Sequence, residues 1–457
     1  MTDDTGDSAV AALVAALGER VVVDPDVMVA FRYDSAVDVP AGCAIAVVRA
    51  RSVVDVTATL RIATHYRVPV VTRGAGTGLA GGANAVEGCI VLSTAEMNRI
   101  VDVDPVGQTA TVEPGVLNGD LACAASAVGL WYAPDPASRA ISTIGGNIAT
   151  NAGGACCVKY GVTGDHVAQL KVALADGSVI ATGSRTRKNV TGYDLTRLVV
   201  GSEGTLGVVV EATVRLRPSP HAVATLVASF ASASAGGRAV MAMAGVVEPS
   251  LLELMDAATI RAVEEATGMG LDLAAGALLI AQCDTRFAEI DIALVAEVCR
   301  SSDATFVGQA VDEEEATVFL HARRQALPAL ERQGSVLLDD IAVPISRLAE
   351  ALTEIAGVAR RRGVLIGTFG HAGDGNLHPT IVFDPASATS RSAAKLAFDD
   401  IVQLALRLGG SITGEHGVGV LKVPYLTDAL GGLERDLMAR IKFCFDPLGI
   451  LNPGKAI

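Results

Sequence analysis

The chain has 457 residues, half of them apolar, with 48 glycines, few aromatics and a net charge of -14. That length exceeds one ordinary core, so two or three domains are expected, and the composition is that of a globular protein rich in tight turns, not of a disordered one. The acidic balance excludes a general nucleic-acid or anionic-membrane binder, which needs a basic footprint, and eight cysteines without a C-x-x-C pair exclude a disulfide scaffold and fit a reducing cytoplasm.

Residues 1–7 are acidic and polar, the opposite of a secretory or mitochondrial leader, so no export is expected. Short Val/Ile-rich runs then predict strands over 44–48, 68–72, 90–93, 109–112, 169–173, 178–182 and 207–216, with helix-like segments between them. Arg217-Pro218-Ser219-Pro220 closes this α+β or α/β half and predicts a domain boundary at 220. The weakly apolar stretch 222–247 is broken by Gly236, Gly237 and Arg238 and does not read as a spanning helix. From 221 to 410, strands over 224–230, 277–282 and 364–368 alternate with amphipathic helices over 256–266, 287–300, 345–361 and 392–408, an α/β layer of the kind that roofs an active site. A helix over 436–445 precedes what reads as a stiff polar tail, 446–455.

Three glycine clusters mark the first half. Arg73-Gly74-Ala75-Gly76-Thr77-Gly78-Leu79-Ala80-Gly81-Gly82 follows a predicted strand and would expose a row of backbone N–H groups able to hold a pyrophosphate. It departs from the nicotinamide fingerprint, because further glycines stand where a crossover helix should start. The second runs from Ser142 through Gly145-Gly146-Asn147 to Gly153-Gly154, and the third is Gly201-Ser202-Glu203-Gly204-Thr205-Leu206-Gly207. Together they would wrap a long, flat cofactor that carries a polyphosphate.

Near the other end, Gly370-His371-Ala372-Gly373-Asp374-Gly375-Asn376-Leu377-His378 is followed by Gly414-Glu415-His416-Gly417. Two imidazoles on one Gly-rich segment and a carboxylate on another suit zinc, manganese or iron. His416 would then be free to act as a base. Any one of these histidines alone is more often a hydrogen-bonding loop residue than a ligand, yet three of only seven in the chain fall in these two segments. A metal that orients a hydroxyl, beside a base that takes its proton, is what oxidation of a 2-hydroxy acid requires.

In chain order, the run from Pro69 to Gly82, Pro134-Asp135-Pro136 with Gly145 to Gly154, the Gly201 to Gly207 element, the two histidine segments and Asn452-Pro453-Gly454-Lys455 resemble the family of FAD-dependent D-lactate dehydrogenases, glycolate oxidase D-subunits and D-2-hydroxyglutarate dehydrogenases. The resemblance spans nearly the whole chain. It implies a vanillyl-alcohol-oxidase-like α+β architecture: a PCMH-type FAD-binding domain of two α+β subdomains (1–220), an α/β cap or substrate domain (221–410) and a C-terminal segment (411–457) that returns to the FAD domain and completes the active site. It implies that Arg73, Gly74, Ala75, Gly76, Thr77 and Gly78 hold the FAD pyrophosphate. Pro134, Asp135, Ser138, Thr143, Gly146, Asn147, Gly153 and Gly207 would line the cofactor, with Asn452 and Lys455 closing over it. No histidine or cysteine stands in 73–82, so the FAD is expected to be non-covalent. By the same resemblance His371, His378 and Glu415 are ligands of one divalent metal, zinc or manganese, His416 is the base, and Arg323 is the clamp for the substrate carboxylate, a role that suits a planar, always charged guanidinium.

The implied reaction is oxidation of a D-2-hydroxy acid to the 2-oxo acid with hydride transfer to flavin. D-2-hydroxyglutarate dehydrogenases place a lysine before the Asp-x-x-x-Pro element and an asparagine two residues past the second metal histidine, where this chain has Leu338 and Thr380. Without those groups a second buried carboxylate would be uncompensated. D-lactate and related aliphatic monocarboxylates therefore rank first, glycolate second and D-2-hydroxyglutarate third. Two readings from other classes stay open: a metallohydrolase, which would leave the glycine loops unused, and a non-catalytic FAD subunit of a larger complex. The electron acceptor, whether cytochrome, quinone or electron-transfer flavoprotein, has no motif here. A homodimer is compatible, no nucleic-acid partner is expected, and the protein is expected in the cytoplasm, at the membrane only peripherally through its acceptor.

Overall fold

The computed structural model describes residues 3–457. The chain divides into two compact units, one of Met1–Gly153, Val162–Ser219 and Glu415–Ile457, the other of Gly154–Gly161 and Pro220–Gly414. Among the described residues no helix is long and apolar enough to cross a membrane.

In the first unit Ala44–Arg49, Cys89–Ser93 and Val70–Arg73 run parallel, with Val21–Val22 antiparallel at the edge. Parallel strands need a crossover, and the helix Val53–Tyr66 follows Ala44–Arg49 and leads into Val70–Arg73. Ser52 caps it by accepting from the Asp55 N–H, Val56, Leu60 and Ala63 fall on its buried face, and Arg67 ends it in the left-handed region at φ 56°. A second, antiparallel sheet orders Ile100–Asp104, Thr109–Val112, Val208–Arg215, Val167–Ala173 and Val179–Gly183. Each sheet has its own apolar core, one around Val48, Leu60, Ile90 and Leu92, the other around Leu121, Ile144, Leu170 and Val214. The segment expected to be a polar tail instead buries Asp446, Ile450, Leu451, Asn452 and Lys455. Ile450 and Leu451 join the first core, Leu451 bridges Val70 in parallel, and the Asp446 side chain accepts from the Ile450 and Leu451 N–H groups at 3.1 and 2.7 Å. Asp446 thus satisfies two buried backbone donors, a use that composition alone does not reveal.

The second unit is one eight-stranded antiparallel sheet, in the order Ala304–Gln309, Ala224–Phe230, Ala277–Cys283, Leu251–Asp256, Leu365–His371, Asn376–Phe383 and Ser335–Leu338, with Ile341–Ala342 also pairing to Asn376–Phe383. The helices Ala257–Thr267, Glu313–Arg324 and Ala326–Glu331 supply Ile260, Val263, Ala322, Ala326 and Leu330 to a core that also takes Met255, Val336 and Phe369 from the sheet. The segment from Gly370 to His378 is no loop. Leu365–His371 and Asn376–Phe383 form a hairpin in which His371 pairs with Asn376 and Phe369 with His378, joined by Ala372-Gly373-Asp374-Gly375. Glycine and histidine are poor strand signals, so the predicted strand stopped at 368. The glycines serve close packing: a Cβ on Gly370 would stand 2.8 Å from the Leu377 Cα, and one on Gly373 would stand 2.6 Å from a Val158 methyl.

Because Leu451 is fully buried in the first core, Leu451→Ala is expected to destabilise that unit by about 2–5 kcal/mol. Urea unfolding would measure it, and a loss below about 1 kcal/mol would mean that this segment is not part of the core.

Candidate functional site

Strand register places a set of functional side chains on one face of the second unit's sheet. Glu253 is the direct partner of His371, Phe369 of His378, and Leu338 of Thr380. Residues two apart on a strand share a face, so Glu253, His371, Phe369, His378, Thr380 and Leu338 all point the same way. The His371 and His378 rings meet edge to face with centroids 5.2 Å apart. Arg323, in the last turn of Glu313–Arg324, lies over this face with its Cζ 4.6 Å from the Phe369 ring centroid. Glu253 joins the set: Oε1 is 2.5 Å from His371 Nδ1 and Oε2 is 2.5 Å from Arg323 Nε, with the carboxylate side chain only 2% exposed. Burial alone would push the Glu253 carboxyl up, but Arg323 and His371 outweigh it and hold the group below the ordinary glutamate range. An ionised carboxylate can only accept, so His371 Nδ1 carries the hydrogen of that contact.

Asp340 organises the neighbouring edge. Its Oδ1 accepts from Asn376 Nδ2 at 2.7 Å and lies 3.7 Å from His378 Nδ1, while Oδ2 accepts from Thr413 Oγ1 at 2.7 Å and from the Gly414 N–H at 2.8 Å. Asn376 Nδ2 also donates to the Ile341 carbonyl. Gly414 has no room for a side chain against Asn376 and Asp340. The next two residues in the chain are Glu415 and His416, so their backbone starts from this anchor, one Cα–Cα step of about 3.8 Å at a time.

Glu415 and His416 belong to the first unit, with His416 Nε2 3.6 Å from Glu415 Oε1. There a second buried carboxylate holds the following residues, since Glu203 accepts from the Val418 N–H at 2.7 Å and the Gly419 N–H at 2.9 Å. Gly417, at φ 86°, packs against Glu203, and the Val420 and Leu421 N–H groups both donate to the Ala80 carbonyl. The three glycine clusters converge in this unit. Thr143 caps the helix Ile144–Thr150 by accepting from the Gly146 N–H, and a side chain on Gly74 would collide with Thr143. Asn452 Nδ2 donates to the carbonyls of Gly82 and Glu203 at 3.0 and 2.7 Å, and Lys455 Nζ donates to those of Gly82 and Asn84.

Of the other residues expected around a cofactor, Pro134 and Asn147 are tied together by Asn118 Nδ2, which donates to the Pro134 carbonyl and to Asn147 Oδ1. The Ser138 carbonyl accepts from the Ile141 and Ser142 N–H groups. Asp135 is half-buried, and Gly153 is buried. Gly207 is packed against Val172 of the sheet, which by itself accounts for the absence of a side chain there. In the first loop Gly76 has φ 78° and lies against the Arg73 guanidinium, while Ser35 N–H donates to the Gly78 carbonyl. Arg73 is itself buried, its guanidinium pulled down by desolvation against the opposing pull of Asp34, and its Nη1 has no hydrogen-bond partner within the protein. A buried, uncompensated guanidinium nitrogen beside positive-φ glycines is the donor set an anionic phosphate group would satisfy. Glu253, Asp340 and Glu203 were not singled out by sequence reasoning. The available signal was a carboxylate inside an apolar or Gly-rich run, as in Leu251-Leu252-Glu253-Leu254-Met255, but nothing in the sequence names its partners.

Two family models match the chain, "FAD binding domain" over residues 44–183 and "FAD linked oxidases, C-terminal domain" over 219–456. The chain is 44% identical to "Glycolate oxidase subunit GlcD" of Bacillus subtilis, covering 90% of this chain and 88% of that one. It is 34% identical to "Probable D-lactate dehydrogenase, mitochondrial" of Danio rerio (90% and 84% covered) and 32% identical to "D-lactate dehydrogenase" of Anaerostipes hadrus (96% and 94% covered). Among solved structures it is similar to p-cresol methylhydroxylase with substrate bound, TM-score 0.83 at 18% identity over 99% of this chain and 97% of that one, which shows the PCMH-type fold.

Burial pushes the Glu203 carboxyl up to about 7, against the opposing backbone donors of Val418 and Gly419. A folded value above the ordinary 4.5 means that the folded state holds the proton longer than the unfolded one, so this group's contribution is full below about pH 4.5 and is lost as pH rises to about 7. Flavin-free protein should therefore lose stability across that window, and Glu203→Gln should flatten the profile. Denaturant midpoints at pH 4.5, 5.5, 6.5 and 7.5 test this, and parallel profiles for the two proteins would refute it.

Proposed function

The chain belongs to the family of FAD-linked oxidases, in the group that contains glycolate oxidase subunit GlcD and the D-lactate dehydrogenases, and from that premise we propose that it oxidises a short aliphatic D-2-hydroxy acid, D-lactate first, to the 2-oxo acid with FAD and one divalent metal. The observation that carries the reading is the single sheet face that bears His371, His378, Thr380 and Leu338, with Arg323 over it.

His371, His378 and Glu415 are assigned as ligands of zinc or manganese. Two imidazoles and a carboxylate are a borderline donor set that fits either ion. Arg73 and the glycines to Gly78 hold the FAD pyrophosphate, which would fill the unmet donor capacity of Arg73. Pro134, Asp135, Ser138, Thr143, Gly146, Asn147, Gly153 and Gly207 line the cofactor without a covalent link. Asn452 and Lys455 act from the C-terminal segment, supported by their hold on the carbonyls of Gly82, Asn84 and Glu203.

When bound, FAD supplies the hydride acceptor and the metal supplies a positive centre for the substrate's hydroxyl and carboxylate oxygens. The chain's own residues do the rest. Arg323 fixes the carboxylate, because a guanidinium has five N–H donors and the ion pair through Nε does not exhaust them. His416 removes the hydroxyl proton. Thr380 and Leu338, cross-strand partners on the same sheet face, offer a hydroxyl and an isobutyl group, which cannot neutralise a second carboxylate. Glycolate is the second reading, favoured by the 44% identity to a glycolate oxidase subunit. That relative is named as a subunit, which supports a chain that works with partner proteins and passes its electrons to a cytochrome, quinone or electron-transfer flavoprotein, met in the cytoplasm or at the membrane surface.

The test is an anaerobic visible spectrum of the metal-replete protein with D-lactate, L-lactate, glycolate and D-2-hydroxyglutarate added separately. Bleaching of a flavin band by D-lactate and not by L-lactate is expected. Faster bleaching by glycolate would install the second reading, and a yellow protein bleached by none would sink both. His416→Ala should retain FAD while flavin reduction slows by roughly 10²–10⁴-fold. The pair Leu338→Lys with Thr380→Asn should raise kcat/KM for D-2-hydroxyglutarate relative to D-lactate by at least about tenfold, the equivalent of about 1.4 kcal/mol.

A further inference from the structure

The Glu253 carboxylate serves two different groups with its two oxygens, and neither is explained by packing. It projects from the middle of Leu251–Asp256, a strand flanked on both sides by others of the sheet, where every neighbouring position on the strand is apolar. A charge placed there costs desolvation, and a simple structural ion pair can often be replaced by apolar residues of similar volume without loss. Here Oε1 faces His371 Nδ1 and Oε2 faces Arg323 Nε, and Arg323 is further confined over Phe369, the cross-strand partner of His378.

We propose that Glu253 is a positioning residue that fixes the metal ligand His371 and the carboxylate clamp Arg323 relative to each other, holding His371 in the tautomer that offers Nε2 to the metal. The proposal rests on the metal and clamp roles assigned above. A carboxylate that accepts from Nδ1–H fixes ring orientation and raises the basicity of the other nitrogen, and loss of such a partner typically weakens metal binding about 10–100-fold. Because the same carboxylate aligns the guanidinium, one residue sets the spacing between the two points that grip the substrate's carboxylate end. A strand-to-strand pair at direct register, with Cβ atoms about 5 Å apart, is a stiff mount for that task.

The experiment uses the full-length, flavin-loaded protein and zinc as the probe, with affinity measured by chelator competition, alongside flavin content and steady-state kinetics on D-lactate. Glu253→Gln is expected to keep its flavin, to bind zinc about 10–100-fold more weakly, and, at saturating zinc, to show a larger rise in KM than fall in kcat. Glu253→Asp should recover part of the zinc affinity. Wild-type zinc affinity and unchanged KM in Glu253→Gln would overturn the proposal. If that variant does not fold, the nitrogen-15 spectrum of histidine-labelled, zinc-loaded wild-type protein decides: His371 protonated at Nδ1 and ligated through Nε2 is expected, and the reverse tautomer overturns it. A wild-type protein that takes neither zinc nor manganese removes the metal assignment and this inference together, whereas one that binds zinc and is bleached by substrate while Glu253→Gln matches it removes this inference alone.

Discussion

A carboxylate that is 1% exposed is tolerable in a protein interior only if its lone pairs are filled, and Asp340 fills them from three directions: the Asn376 amide, the Thr413 hydroxyl and the Gly414 N–H. Those donors come from two different stretches of chain, the return strand of the histidine hairpin and the approach to the Glu-His pair. Satisfying one charge therefore fixes where the second strand of the hairpin runs and where the segment beyond Gly414 begins. Removing Asp340 would leave one of the two Asn376 amide hydrogens, a hydroxyl and a backbone N–H without this acceptor, so the loss would spread to each element it joins.

The same device recurs at the other end of that segment, where Glu203 receives the Val418 and Gly419 N–H groups. Between the two carboxylates lie only Glu415, His416 and Gly417. Glycine has a complementary use. Gly414 and Gly417 give way to the Asp340 and Glu203 carboxylates, and Gly74 and Gly370 to neighbouring chain, so the density of glycine reports close approach more than mobility.

Much of the architecture was legible in the sequence where side-chain period and composition agree. The strands Thr109–Val112 and Ala224–Phe230 fall on short apolar runs that carry β-branched residues, and the helices Ala257–Thr267 and Ala288–Ser301 follow their apolar stripes to within a residue or two. The histidine motif announced chemistry but not its scaffold, because His371 and His378 sit on strands whose ends are written in glycine and histidine. Leu251–Asp256 went unread for a related reason: a glutamate at the centre of a short apolar run is consistent with either a strand or a turn of helix until its partners, 70 and 118 residues away in the chain, are known. The tail was misjudged because Asp446, Asn452 and Lys455 look like a solvated surface, although their polar atoms are spent on buried carbonyls and N–H groups. Long-range satisfaction of buried polar groups leaves no local pattern.

That tail also has a bearing on how the molecule comes to be. The Asn452 amide reaches the Gly82 carbonyl across 370 residues of chain, and Lys455 reaches the same carbonyl across 373. Pairings so distant in sequence carry a large loop-closure cost and form late. On a ribosome, the second unit's sheet is synthesised whole before the residue that bridges Val70 exists, so it is free to fold while the first unit's core is still incomplete. Completion of that core is thereby timed to the arrival of Leu451.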